Sequence, residues 1–301
     1  MSIKSILAYS FQSFYLAGSF LLLFIFLPTF YNLSLGFALS SIGLLILLSR
    51  FFDVFSDIFI GYITEKRLIE GRSKKNQILL GLFIFIFSLI GLYIVQSTNI
   101  YLFIFYYNLA LISYSIAIIP YDSIVIDQKK ISKKRFQLAT VKEIFTIAGV
   151  LAALAIPTII SQYLSLDLLN PDVIKISGYI MIFLAIIGTC IFYLFYEENI
   201  NFKSQSISLG QINSFLKSNK KISNFALITF FNLLANNFTA NLFIIFVSNY
   251  LGLKDYAGYL LILYFTITLI STPLWYFLER SFLICICFSW ELLSQYSVFS
   301  L

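Results

Sequence analysis

The sequence predicts an all-α membrane protein with many spans, and three observations carry that prediction. Of 301 residues, 60% are hydrophobic and 11% charged, whereas globular chains carry about 25% charged residues. Mean hydropathy is +0.91, more apolar surface than a soluble core of this length buries. The apolar residues fall in runs of the roughly 20 residues that a helix needs to cross a bilayer. Lysine and arginine gather in alternate loops between those runs, as the positive-inside rule requires of a multi-pass protein.

Composition also narrows the chemistry. Histidine is absent, which removes the commonest general base and the usual zinc ligand. Cys190, Cys285 and Cys287 sit in apolar segments without metal or disulfide spacing. No cofactor is expected, and the net charge of +6 reads as membrane topology rather than nucleic-acid affinity. The first apolar run lacks a short apolar region followed by a small-residue cleavage site, so it reads as the first span.

The spans are expected at roughly 6–31, 37–63, 77–97, 101–126, 137–163, 173–196, 223–249 and 257–278, with a further apolar piece from Phe282 to Leu301. Between spans 2 and 3 lie Lys66, Arg67, Arg72, Lys74 and Lys75. Between spans 4 and 5 lie Lys129, Lys130, Lys133, Lys134 and Arg135, and between spans 6 and 7 lie Lys203, Lys217, Lys220 and Lys221. These loops and the N-terminus are expected in the cytoplasm, with the chain in the cytoplasmic (inner) membrane. The predicted organisation is a six-span bundle over residues 1–196, a polar cytoplasmic linker over 197–222, and a partial second bundle over 223–301.

One stretch breaks the apolar pattern. "RFFDVFSDIFIGYITEKR", Arg50 to Arg67, places three charges inside span 2. Asp53 and Asp57 lie four residues apart, so they share a helix face about 6 Å apart along the axis. Arg50 falls on the same side. With the cytoplasmic boundary near Thr64, Asp57 is about 10 Å deep and Asp53 about 16 Å. A lone aspartate there costs on the order of 3 kcal/mol, and such residues face polar paths or each other. Two carboxylates one turn apart repel when both are ionised. Arg50 neutralises one, leaving one net negative charge for a sodium ion or a proton. The competing reading is a structural Arg–Asp clamp, for which one aspartate suffices.

Other polar residues in spans are secondary candidates. Asn232 and Asn236 share a face of span 7 and suit a hydroxylated ligand or another helix. Lys142 and Glu143, near the start of span 5, point about 100° apart; they read as supporting ion pairs, one of them with span 2. Tyr9, Gln12, Tyr15 and Tyr121 are candidates to line a cavity, with Gln12 and Tyr121 the candidates for substrate contact, although aromatic residues in spans more often serve packing or interface anchoring.

The stretch "LPTFYNLSLGFALSSIGLLILLSRFFDVFSDIFIGYITEKRLIEGRSKK" resembles the start of a major-facilitator protein of the glycoside–pentoside–hexuronide:cation symporter family. The signature positions are Arg50, Asp53, Asp57, Gly61, Gly71 and Arg72. "IPYDSIVIDQKKISKKRFQLATVKEIFTIAG" resembles that family's exit from span 4 and start of span 5, with Pro120, Asp127 and Glu143 on its proline and acids. "NLFIIFVSNYLGLKDYAGYLLILYFTITLISTPLW" resembles its seventh and eighth spans. The resemblance implies a major-facilitator-type bundle and symport of a sugar, glycoside or related small solute with a cation, by alternating access.

Departures limit what it implies. Ile58 stands where the family has proline after the second aspartate. Two aspartates that hold sugar in a galactoside carrier of the family correspond here to Ala17 and Ile118, so galactoside recognition is not implied. After "PLWYFLER" the text "SFLICICFSWELLSQYSVFSL" departs from the family; a frame-shifted or truncated reading frame, and hence an inactive remnant, is an expectation to set beside active transport. A further alternative, an intramembrane prenyltransferase-like enzyme, needs a second aspartate-rich motif to pair with Asp53 and Asp57. Asp122 and Asp127 are five apart and do not supply that spacing. Oligomeric state is not read from the sequence.

Overall fold

The computed structural model describes residues 3–127 and 132–197, with positions 224, 227–228, 231, 250–251, 260, 262–264, 266–268 and 270–271 beyond them. The chain divides into two compact units, Met1–Ser204 and Gln205–Leu301. Most of the expected spans 7 and 8, the 197–222 linker beyond Glu197, and the candidates Asn232 and Asn236 lie outside the described residues. Among the described residues the architecture is all-helical, as the sequence predicts.

The first unit runs α1 (Ile3–Leu21), a wide π-helical turn (Leu22–Phe26), α2 (Leu27–Leu33), α3 (Leu39–Ile69), α4 (Lys74–Leu89) continued by a second wide turn (Ile90–Val95), α5 (Ile100–Asp127), α6 (Ser132–Leu164) and α7 (Pro171–Phe195). Among the described residues, five segments are long and apolar enough to cross a membrane: Ile3–Phe24, Lys74–Val95, Ile100–Val125, Gln137–Leu164 and Pro171–Phe195. Helix α3 has 31 residues, about 46 Å at 1.5 Å per residue, and carries the three interior charges. The chain is therefore an integral membrane protein.

Local chemistry explains the breaks. Pro28 has no N–H, and in a regular helix its ring would meet the carbonyl four residues back, that of Phe24. The backbone widens there instead, and the Leu27 N–H bonds the carbonyl of Leu22. Helix α3 runs past the expected boundary near residue 63 and stops only at Ile69. Lys66 and Arg67 continue the helix, and their charge suits its C-terminal end. Gly71 then takes the left-handed conformation, φ +74°, and the Arg72 N–H closes on the Arg67 carbonyl at 2.9 Å. Glycine does this without a Cβ penalty. Helix α7 begins with Asn170, whose side chain accepts from the Asp172 N–H at 3.0 Å, and with Pro171 in its first turn.

Packing follows small residues and aromatic rings. Helix α1 lies mainly on α6 and α7, α4 on α5, and α3 on α5. Gly18 and Gly149 let α1 and α6 approach closely: a Cβ on Gly18 would stand 2.7 Å from the Gly149 carbonyl oxygen. Such close backbone approach is how membrane helices associate where lipid removes the hydrophobic drive.

Polar contacts tie the helix ends on one side of the unit. The Lys74 ammonium donates to the Ser123 hydroxyl at 2.7 Å and Lys75 to the Tyr196 carbonyl at 2.9 Å. Gln77 donates to Thr64 at 2.7 Å. The start of α1, the α3–α4 turn, the end of α5 and the end of α7 therefore share one end of the unit. That end carries Lys66, Arg67, Arg72, Lys74 and Lys75 of the first basic loop.

Candidate functional site

Helix α3 turns its charged face toward α5. Arg50 Nη1 donates to Asp53 Oδ2 at 3.1 Å. The Ser115 side chain of α5, itself buried, lies beside Asp53. Tyr107 of α5, 2% exposed, lies within the electrostatic reach of both Arg50 and Asp53. The guanidinium carbon of Arg50 stands 3.9 Å from the ring centre of Phe24 and 5.7 Å from that of Phe20.

The satisfied contacts leave a definite remainder. Asp53 Oδ1, Asp57 Oδ1, Arg50 Nε, Arg50 Nη2 and the Tyr107 hydroxyl are buried without a hydrogen-bond partner. Buried polar atoms are normally paired, and the cost of leaving them unpaired rises in an apolar setting. One guanidinium against two carboxylates gives this face a net formal charge of −1, and its unpaired acceptors are carboxylate oxygens. Hard monovalent cations and protons are what such a set can take up.

A second cluster lies on α5 and α6. Lys142 Nζ contacts Asp122 Oδ1 at 2.5 Å and stands 5.4 Å from the Tyr121 ring centre. The Lys142 backbone is fixed to α1, because the Ser13 hydroxyl donates to its carbonyl at 2.9 Å. This corrects the expectation that Lys142 or Glu143 pairs with span 2: α3 packs on α5, while Lys142 reaches an acid on α5 itself. Glu143 is exposed and joins no ion pair among the described residues.

At Tyr121 packing stands in place of the expected cavity lining. Tyr121 is fully buried and stacked on Tyr9 with ring centres 4.2 Å apart. The two exchange hydrogen bonds: the Tyr9 hydroxyl donates to the Tyr121 carbonyl at 2.8 Å, and the Tyr121 hydroxyl to the Tyr9 carbonyl at 2.7 Å. Both hydroxyls are thus committed to packing α1 on α5. Gln12 is fully buried with both amide atoms unpartnered. In the loop motif, Gly71 caps α3, Arg72 pairs with Glu70 at 3.2 Å at an exposed position, and Gly61 has open space where a Cβ would sit.

A cavity of about 580 Å³ lies among the loops at the opposite end, lined by Ser34, Asp167, Leu168, Leu169, Asn170 and Pro171. From Leu39, where α3 leaves that end, Asp53 is about 21 Å further along the helix, so this cavity and the charged face are separate features.

Sequence reasoning missed Ser115, Asp122 as the partner of Lys142, and Phe24. Periodicity within α3 predicts which charges share a face but not which helix meets them. The wide turn shifts Phe24 out of regular helical register, so its approach to Arg50 has no periodic signal.

Residues 9–282 match the family described as MFS/sugar transport protein. The chain belongs to this family. The match covers both units and spans the charged face of α3, the Lys142–Asp122 pair and the α3–α4 turn. No curated protein matches the chain. Membership in the MFS/sugar transport family makes the chain a secondary transporter of a small molecule across a lipid bilayer, rather than an enzyme.

Proposed function

We propose that this transporter couples movement of a sugar, glycoside or related small solute to entry of a monovalent cation, sodium or proton, held by Asp53 and Asp57. The reading rests most on the two carboxylate oxygens, Asp53 Oδ1 and Asp57 Oδ1, buried and unpaired on a helix whose Arg50 engages Asp53 alone. A purely structural Arg–Asp clamp explains Asp53 but leaves Asp57 without a reason, since a carboxylate in a span is costly. Ser115 supplies a neutral oxygen beside the same site. The resemblance of the Arg50, Asp53, Asp57, Gly61, Gly71 and Arg72 pattern to cation symporters supports the same reading. The break in span 1 at Pro28 does too, because interrupted helices commonly line transporter sites.

Under this reading, cation binding cancels the net charge on α3 and so lowers the cost of exposing or occluding that face as the protein changes conformation. The basic loop ends face the cytoplasm of a cell bounded by its inner membrane, and the N-terminus lies inside. The tied helix ends keep the first unit rigid, as rocking of whole bundles requires. The test is uptake by the purified full chain in liposomes, with an inward sodium or proton gradient and a panel of labelled sugars and glycosides. Accumulation that collapses when an ionophore dissipates the gradient is the expected result. Uptake that merely equilibrates, and ignores both gradients, would remove cation coupling while leaving the transporter assignment intact.

A further inference from the structure

We infer that Phe24 is a positioning residue for the cation site, holding Arg50 so that its guanidinium takes only one of the available carboxylate oxygens. The inference rests on the cation-site reading of Asp53 and Asp57 and adds to it a residue on a different helix segment.

Three observations point to Phe24. Its ring centre is 3.9 Å from the Arg50 guanidinium carbon, and a ring at this range attracts the cation through its face without using any N–H donor. Arg50 makes one hydrogen bond to Asp53, and its Nε and Nη2 remain buried and unpartnered. An unrestrained arginine beside two carboxylates would prefer a bidentate pair with one of them or a bridge between both. A bidentate pair with Asp53 would occupy its free Oδ1, and a bridge would engage Asp57 as well; either would compete with a bound cation.

The backbone explains how the ring arrives there. Phe24 sits in the wide turn Leu22–Phe26, and its own carbonyl is the one that Pro28 would strike in a regular helix. Phe24 also contacts Phe20, ring centres 5.4 Å apart, and Phe20 stacks on Tyr114 of α5 at 4.5 Å. The ring over Arg50 is therefore braced from α5, the helix that also brings Ser115 to Asp53. Wide turns of this kind occur often at functional sites.

The test is equilibrium binding of radioactive Na+ to the purified full chain in nanodiscs. Variants are Phe24→Leu, Phe24→Tyr and Asp53→Asn, with Phe24→Met replacing Phe24→Leu if the latter does not elute as a single species. Phe24→Leu is expected to weaken Na+ binding about tenfold, within the span a desolvated cation–π contact controls. Phe24→Tyr, which keeps the ring face, is expected to stay within about twofold of wild type. Loss of affinity in Phe24→Tyr equal to that in Phe24→Leu, or no change in Phe24→Leu, overturns the role of Phe24 while Asp53→Asn still loses binding. Absence of Na+ binding in wild type, or full binding in Asp53→Asn, overturns the sodium site and this proposal with it.

Discussion

Arg50 engages a single oxygen of Asp53, Nη1 to Oδ2 at 3.1 Å, and leaves Asp53 Oδ1 buried without a partner. A clamp built only for stability would use the bidentate geometry that arginine and carboxylate favour. The free oxygen, with Asp57 one turn further along α3, gives the face its unbalanced negative charge.

Removing that charge separates coupling from folding. Asp53→Asn and Asp57→Asn keep the side-chain shape and delete the carboxylate. Each is expected to abolish gradient-driven accumulation while leaving membrane insertion and elution from a sizing column unchanged. The assay is solute uptake under an imposed sodium or proton gradient, run beside an expression and insertion control. Normal accumulation in either variant removes that aspartate from the coupling site.

The ends of the first unit predict sidedness. Lys66, Arg67 and Arg72 flank the Gly71-capped turn, and the polar stretch after α7 carries further lysines. The positive-inside rule places both in the cytoplasm. In a variant lacking Cys190, Cys285 and Cys287, a single cysteine at Ser73 or Ser218 should resist membrane-impermeant maleimide in intact cells and react after permeabilisation. Labelling of intact cells at either position contradicts the orientation.

Tyr121 distinguishes packing from substrate contact. Its hydroxyl is donated to the Tyr9 carbonyl at 2.7 Å in a fully buried pair. Tyr121→Phe is expected to cost about 0.5–1.5 kcal/mol of stability, the worth of one hydrogen bond, read as a lower Tm in detergent. The apparent KM for the transported solute should not move. A raised KM with unchanged Tm would return Tyr121 to the substrate site.

The amino-acid sequence by itself determined the solvent this protein folds in. Apolar runs of spanning length and clustered basic residues need no tertiary contacts to be legible, because the bilayer imposes its thickness and charge asymmetry on every segment separately. The shared face of Arg50, Asp53 and Asp57 is legible for the same reason, since helical periodicity is local. The tertiary structure decided which helices those faces meet. It brought Ser115 to Asp53, gave Lys142 an acid on α5 instead of α3, and turned Tyr9 and Tyr121 into a mutual brace. It also placed Phe24 over Arg50 through a turn that departs from the regular helical period. These pairings depend on how close the backbones approach, as at Gly18 and Gly149, and on where Pro28 breaks the helix. Separation along the chain encodes neither.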